Sequence, residues 1–83
     1  MNSNDEIING IKKESVLNVL DNVNKGFKSK IELLSIFDIS YKELTNILLG
    51  LKRKSYIKMF RWYGNDEMYY GVTVNGSIFL REN

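Results

Sequence analysis

The sequence predicts an α+β domain in which three helices are followed by a two-stranded β-hairpin. Three observations carry that prediction. Two serine caps stand eleven residues apart, in "SKIE" (29–32) and "SYKE" (40–43), each with a glutamate three residues on that can bond back to the cap. Behind the second cap, Leu44, Ile47, Leu48 and Leu51 repeat at i, i+3, i+4 and i+7, the stripe of an amphipathic helix. Beyond Lys54 the period falls to two. There "YIKMFRWY" (56–63) and "MYYGVTV" (68–74), β-branched and aromatic, flank the turn residues "GNDE".

From the N-terminus onward, Ser3 and Asn4 are good caps with acids just after them, so a helical segment is expected from roughly Asp5 to Asn22. Its main part should start near Lys12, beyond Gly10, with residues 1–4 frayed. Ile7, Ile8, Ile11, Val16, Leu17, Leu20 and Val23 supply its apolar face, and Gly26 in "NVNKGF" is the expected stop. A short third strand near Phe27 would add to the sheet. The next helix runs from Lys30 to about Phe37 with Ile31, Leu34 and Phe37 turned inward, and "DIS" makes the turn. The helix opened by Ser40 presents Tyr41, Lys42, Thr45, Asn46, Leu49, Gly50 and Arg53 away from its core stripe. In the hairpin, with a loop of about four residues, alternation turns Ile57, Met59, Tyr70 and Val72 inward. Phe60, Trp62 and Tyr69 then share the outer face as cross-strand partners. "NGSIFL" closes the chain as a turn or short helix that returns Ile78, Phe79 or Leu80 to the core. Two caps around a two-turn helix describe helix–turn–helix packing. With the hairpin behind them, the order is that of a winged helix–turn–helix, one domain over residues 1–83.

Composition narrows the function. Eighty-three residues with 43% apolar side chains suit one modest core. There is no cysteine and no histidine, which removes thiolate chemistry, the commonest general base and the commonest zinc ligand. The ten carboxylates show no clustered acid/base or metal pattern, and no P-loop or dinucleotide-binding glycine turn is present, so neither an enzyme nor a cofactor is expected. No window approaches about 18 uncharged apolar residues, so no membrane span is expected. "MNSNDEIING" is unlike a signal peptide, which points to an intracellular, cytoplasmic protein. The net charge of +2 is unevenly placed: residues 1–24 sum to −2, residues 25–61 to +6 and residues 62–83 to −2. A basic middle between acidic ends is the footprint of an anion-binding face, or equally a chance spread of solubilising lysines.

"ISYKELTNILLGLKRKSYI" (39–57) resembles the pattern "LSYKQL…YL…LLEKGLI" of small archaeal winged helix–turn–helix DNA-binding proteins, a group with chromatin-associated and viral or plasmid-borne members. "YYGVTVNGSIFL" (69–80) resembles that group's closure "Y-x-L-T-x-x-G-x-x-x-L", with Tyr70, Val72, Thr73, Gly76 and Leu80 in the marked places. With "GFKSKIELLSIF" the likeness covers about residues 26–80. Two departures stand out. Ser55 replaces the usual glycine before the strand, and the long C-terminal helix that pairs many relatives into dimers does not follow Asn83. A homodimer would then use the N-terminal helix or the outer face of the wing.

The resemblance implies double-stranded DNA as partner and transcription regulation as role, with the helix after Ser40 in the major groove. Base contacts are expected from Tyr41, Lys42, Thr45 and Asn46, with Leu49 against a thymine methyl; the competing reading is a plain solvated face. Backbone contacts are expected from Lys28, Ser29 and Lys30 at the second helix, Arg53 and Lys54 at the end of the third, and Lys58 and Arg61 on the wing stem. Bases at a helix end also serve simply to offset the dipole. Asp66 and Glu67 at the wing tip would repel phosphate. Phe60, Trp62 and Tyr69 form a second candidate surface, for a protein partner or for stacking within the ribbon.

Overall fold

The computed structural model describes residues 6–8, 11–64 and 66–83. The elements in order are β1 (Glu6–Ile8), β2 (Ile11–Lys12), α1 (Lys13–Asn24), β3 (Lys28–Ser29), α2 (Lys30–Ile36), α3 (Tyr41–Arg53), β4 (Ile57–Arg61), β5 (Met68–Val72) and α4 (Val74–Glu82). This is a winged helix–turn–helix, with four helices among the described residues where three were expected. A three-stranded antiparallel sheet has the order β3–β5–β4, so the short strand anticipated near Phe27 exists and pairs with the returning strand of the wing.

The N-terminus departs from the helical reading. β1 and β2 pair as an antiparallel hairpin, with Glu6 opposite Lys12 and Ile8 opposite Ile11, and α1 starts only at Lys13. A run rich in isoleucine loses χ1 freedom in a helix and suits a pleated strand, which overrides the apparent helical spacing. Ser3, Asn4, Asp5 and Gly10 lie outside the described residues. The cap of α1 is Lys12, extended and without a side-chain bond. Val16, Val19, Leu20 and Val23 are its buried face. Gly26 follows the helix without entering the left-handed region, and its N–H donates to the Val23 carbonyl at 3.2 Å.

The box at Ser29 is complete. The Glu32 N–H donates to Ser29 Oγ at 3.2 Å, and the Ser29 N–H donates to Glu32 Oε1 at 2.8 Å. α2 buries Leu33, with Leu34 and Phe37 packed beside it, whereas Ile31 is 69% exposed. The expected inward position for Ile31 is thus wrong. A helix of two turns has a narrow buried face, and Leu33 has taken it. At Ser40 the hydroxyl accepts from the Glu43 N–H at 3.0 Å, without the reciprocal bond seen at Ser29.

α3 buries Leu44, Ile47, Leu48 and Leu51 as its spacing predicted; Gly50, expected outward, is buried too. The helix ends in a Schellman turn. The Tyr56 N–H donates to the Leu51 carbonyl and the Ser55 N–H to the Lys52 carbonyl, both at 2.9 Å. That geometry puts Ser55 at φ 66°, the left-handed region that glycine tolerates most readily.

In the wing, Ile57 faces Val72, Met59 faces Tyr70, Phe60 faces Tyr69 and Arg61 faces Met68. Residues 62–67 connect the strands, a longer loop than the four residues expected, with Gly64 at φ 78°. Asn65 of the expected turn lies outside the described residues. Ile57 and Tyr70 are buried, and Met59 and Val72 pack against the same core, as alternation requires.

α4 turns the chain back. Thr73 caps it, accepting from the Gly76 N–H at 3.0 Å while its own hydroxyl donates to the Ser55 carbonyl at 2.7 Å. Its N–H donates to the Tyr56 carbonyl at 3.0 Å. Phe79 stacks on Tyr56 with ring centroids 4.5 Å apart, and Leu80 packs on the core, while Ile78 stays outside. A Cβ on Gly76 would lie 2.1 Å from the Tyr56 carbonyl oxygen. Gly76→Ala is therefore expected to cost about 3 kcal/mol of stability, because the obstacle is backbone that cannot turn aside. Ser55→Gly should add about 0.5–1 kcal/mol by relieving the left-handed strain. Urea unfolding with an unchanged m value is the measurement for both.

Candidate nucleic-acid interface

α3 presents one continuous outer stripe. Lys42, Asn46, Leu49 and Arg53 fall at i, i+4, i+7 and i+11, opposite the buried leucines, and all four are exposed. Leu49 is 48% exposed in the middle of this stripe, an apolar side chain between two cations and an amide. Tyr41 and Thr45 stand on the flank that faces α2. Lys54 caps the helix end, exposed like Lys52 and Arg53.

Lys30, the first residue of α2, ties that flank together. Its ammonium donates to Thr45 Oγ1 at 3.3 Å and to the Tyr41 phenol oxygen at 3.4 Å, and it lies 4.7 Å from the centre of the Tyr41 ring. Thr45 in turn donates its hydroxyl proton to the Tyr41 carbonyl at 2.8 Å. Four of the residues singled out from sequence for base contact and one singled out for phosphate thus share one surface: Tyr41, Lys42, Thr45 and Asn46 with Lys30.

The remaining candidates separate. Ser29 is only 2% exposed, and both its hydroxyl, which accepts from the Glu32 N–H, and its own N–H, which donates to Glu32 Oε1, are engaged in the cap of α2. Lys28 turns to the end of α1, where its ammonium donates to the carbonyls of Gly26 at 3.3 Å and Asn22 at 3.4 Å. That placement offsets the α1 dipole and leaves the α3 face to Lys30. Lys58 and Arg61, grouped as the wing stem, lie on opposite faces of the ribbon because they are three positions apart on a strand of period two. Arg61 is on the side of Met59, Met68 and Tyr70; Lys58 shares the other side with Phe60. The wing-tip carboxylates Asp66 and Glu67 border the same groove as Lys30, Tyr41 and Met68.

On the far side of the ribbon an aromatic cluster gathers around a residue that sequence reasoning passed over. Phe27 meets Phe60 edge-on at 4.5 Å and Trp62 at 5.9 Å; Trp62 in turn lies 5.1 Å from Phe60 and 6.1 Å from Tyr69. A Cβ on Gly71 would stand 2.7 Å from the Phe27 ring, so the ring occupies the gap that glycine leaves. The signal was in the sequence. A lone glycine inside a strand marks a close approach, and Gly71 is paired across from Lys58 on that outer face.

No family model matches the chain, and no curated protein does. Solved structures do share its fold. Wild-type MarR from Escherichia coli in its apo form superposes with a TM-score of 0.77 at 18% identity, over 88% of this chain and 55% of that one. A MarR mutant complexed with operator DNA gives 0.76 at 16% identity, over 88% and 53%. ZitR from Lactococcus lactis gives 0.77 at 16% identity, over 94% and 58%. The chain thus spans little more than half the length of these proteins.

The aromatic cluster has a measurable role in stability. Phe27→Ala is expected to cost about 1–2 kcal/mol, as edge-to-face pairs and cover over Gly71 are lost from a half-exposed site. Fluorescence of Trp62, the sole tryptophan, should shift to the red in the folded variant.

Proposed function

We propose that the chain binds double-stranded DNA and regulates transcription, with α3 in the major groove. The observation that carries this reading is the α3 stripe. Lys42, Asn46, Leu49 and Arg53 project together, with Lys30, Tyr41 and Thr45 along one flank and the central third of the chain holding the excess positive charge. A helix of this width fits the major groove, and these side chains match the edges displayed there. Lys42 donates to guanine O6 and N7, Asn46 pairs with adenine N6 and N7, and Leu49 lies against a thymine methyl. Lys30, Arg53, Lys54 and Arg61 serve the phosphates. The fold likeness to a repressor crystallised on its operator supports the same reading. A two-fold dimer, through the N-terminal elements or the wing, would place two copies on half-sites about one helical turn apart. The site of action is the cytoplasm, on DNA.

A second reading has its own observation. Phe27 at 50% and Trp62 at 47% exposure leave an aromatic surface on the face of the wing turned away from Arg61, suited to a protein partner. In that case Trp62→Ala abolishes partner capture and leaves DNA affinity intact.

Fluorescence anisotropy against duplexes selected from a random library tests the main reading. With about four charges on phosphates, log K should fall against log salt with a slope of about −3.5 to −4. Arg53→Ala should weaken all duplexes alike and reduce that slope by about 1, while Asn46→Ala should lose about 1–3 kcal/mol at one adenine only. Folded protein that binds no duplex at micromolar concentration refutes the proposal. A palindromic consensus would establish the dimer.

A further inference from the structure

The hydrogen bonds around Thr45 fix what kind of base it can read. A threonine hydroxyl has one proton to donate and two lone pairs to accept with. Here the proton goes to the Tyr41 carbonyl at 2.8 Å, since a carbonyl can only accept. One lone pair takes an N–H from the Lys30 ammonium at 3.3 Å, since an ammonium can only donate. Neither direction rests on an assigned hydrogen position; both follow from the partners. What remains to Thr45 is a single lone pair. The same ammonium donates to the phenol oxygen of Tyr41 at 3.4 Å, which leaves the Tyr41 proton free. Two neighbouring hydroxyls thus take opposite characters: Thr45, its proton held by the Tyr41 carbonyl, accepts, and Tyr41, its oxygen taken by Lys30, donates.

Resting on the DNA-binding reading above, the geometry points to Thr45 as an acceptor that selects an exocyclic amino group, adenine N6 or cytosine N4, in the major groove, with the Tyr41 carbonyl holding it in that role. In the major groove those two amino groups are the hydrogen-bond donors, whereas guanine O6 and N7 and thymine O4 accept. To serve guanine or thymine, the Thr45 hydroxyl would have to swing its proton off the Tyr41 carbonyl. That rotation costs the 2.8 Å bond and turns a lone pair against the carbonyl oxygen, whereas the Lys30 ammonium meets a lone pair in either orientation. Tyr41, with its proton free, is suited to a phosphate oxygen or to a base acceptor.

Duplexes selected from a random library by the wild-type chain provide the test. Each adenine in the selected site is replaced by purine lacking the N6 amino group, and each cytosine by its analogue lacking the N4 amino group. Affinity is measured for the wild type and for Thr45→Val, Thr45→Ser and Lys30→Met, with folding checked by circular dichroism. At one position, removal of the amino group should weaken the wild type and Thr45→Ser about five- to tenfold, and leave Thr45→Val unaffected. Lys30→Met should keep the choice at that position, because the Tyr41 carbonyl still holds the Thr45 proton, and lower the salt slope by about 1. The inference is overturned if the position sensitive to Thr45→Val proves to be guanine or thymine, or if no amino deletion loses its cost in Thr45→Val. Should the folded wild type bind no duplex, the DNA-binding reading fails and this inference with it. Base selection that is sharp yet indifferent to Thr45 overturns the inference alone.

Discussion

Thr73 holds the exit of α3. Its hydroxyl donates to the Ser55 carbonyl, its backbone N–H donates to the Tyr56 carbonyl, and its hydroxyl oxygen accepts the Gly76 N–H in the first turn of α4. These bonds join the end of one helix to the start of another across the turn that launches the wing. The absence of a side chain at Gly76 lets α4 come against the Tyr56 backbone, and the stacking of Phe79 on Tyr56 covers the junction. Without that closure, β4 would leave α3 at no fixed angle, and Arg61 would have no defined position relative to Lys42 and Asn46. The threonine and glycine of the closing motif are thereby explained by geometry: one supplies three hydrogen bonds, the other supplies room.

Charge is arranged by the same scaffold. The basic residues of the central third do not form one uniform coat. Lys28 serves the end of α1, Lys58 sits on the aromatic side of the ribbon, and Lys30, Lys42, Arg53 and Lys54 remain along α3. Asp66 and Glu67 at the wing tip border the groove beside Lys30, so the positive surface ends there. The cationic face is narrow, follows one helix, and carries an exposed leucine at its centre.

What the sequence made legible was local. The two serine caps depend on residues three apart, and the α3 stripe on residues three and four apart, so both appear in the chain itself. The strained position of Ser55 was visible too, because the turn needed a left-handed residue and no glycine stood there. The N-terminal hairpin was not legible, since Ile7, Ile8 and Ile11 satisfy a helical and an extended pattern alike. The inward residue of α2 was missed because two turns leave the phase of the stripe undetermined. Lys28 and Phe27 were placed by contacts across the fold, with the end of α1 and with Gly71, that no local spacing encodes. At the interface, the α3 residues were found from periodicity, while the engagement of Ser29 in its cap and the opposed faces of Lys58 and Arg61 required the strand register.

Three consecutive residues each hold a different helix. Lys28 holds the Asn22 carbonyl in the last turn of α1, Ser29 caps α2, and Lys30 reaches Tyr41 and Thr45 of α3, while Lys28 and Ser29 also pair with β5. The tripeptide is a mechanical junction. A tilt of α1 must either drag this segment along or break its tether, and dragging it re-aims Tyr41 and Thr45 through Lys30. Whatever leans on the first helix therefore has a route to the outer surface of the third that passes through a single stretch of backbone.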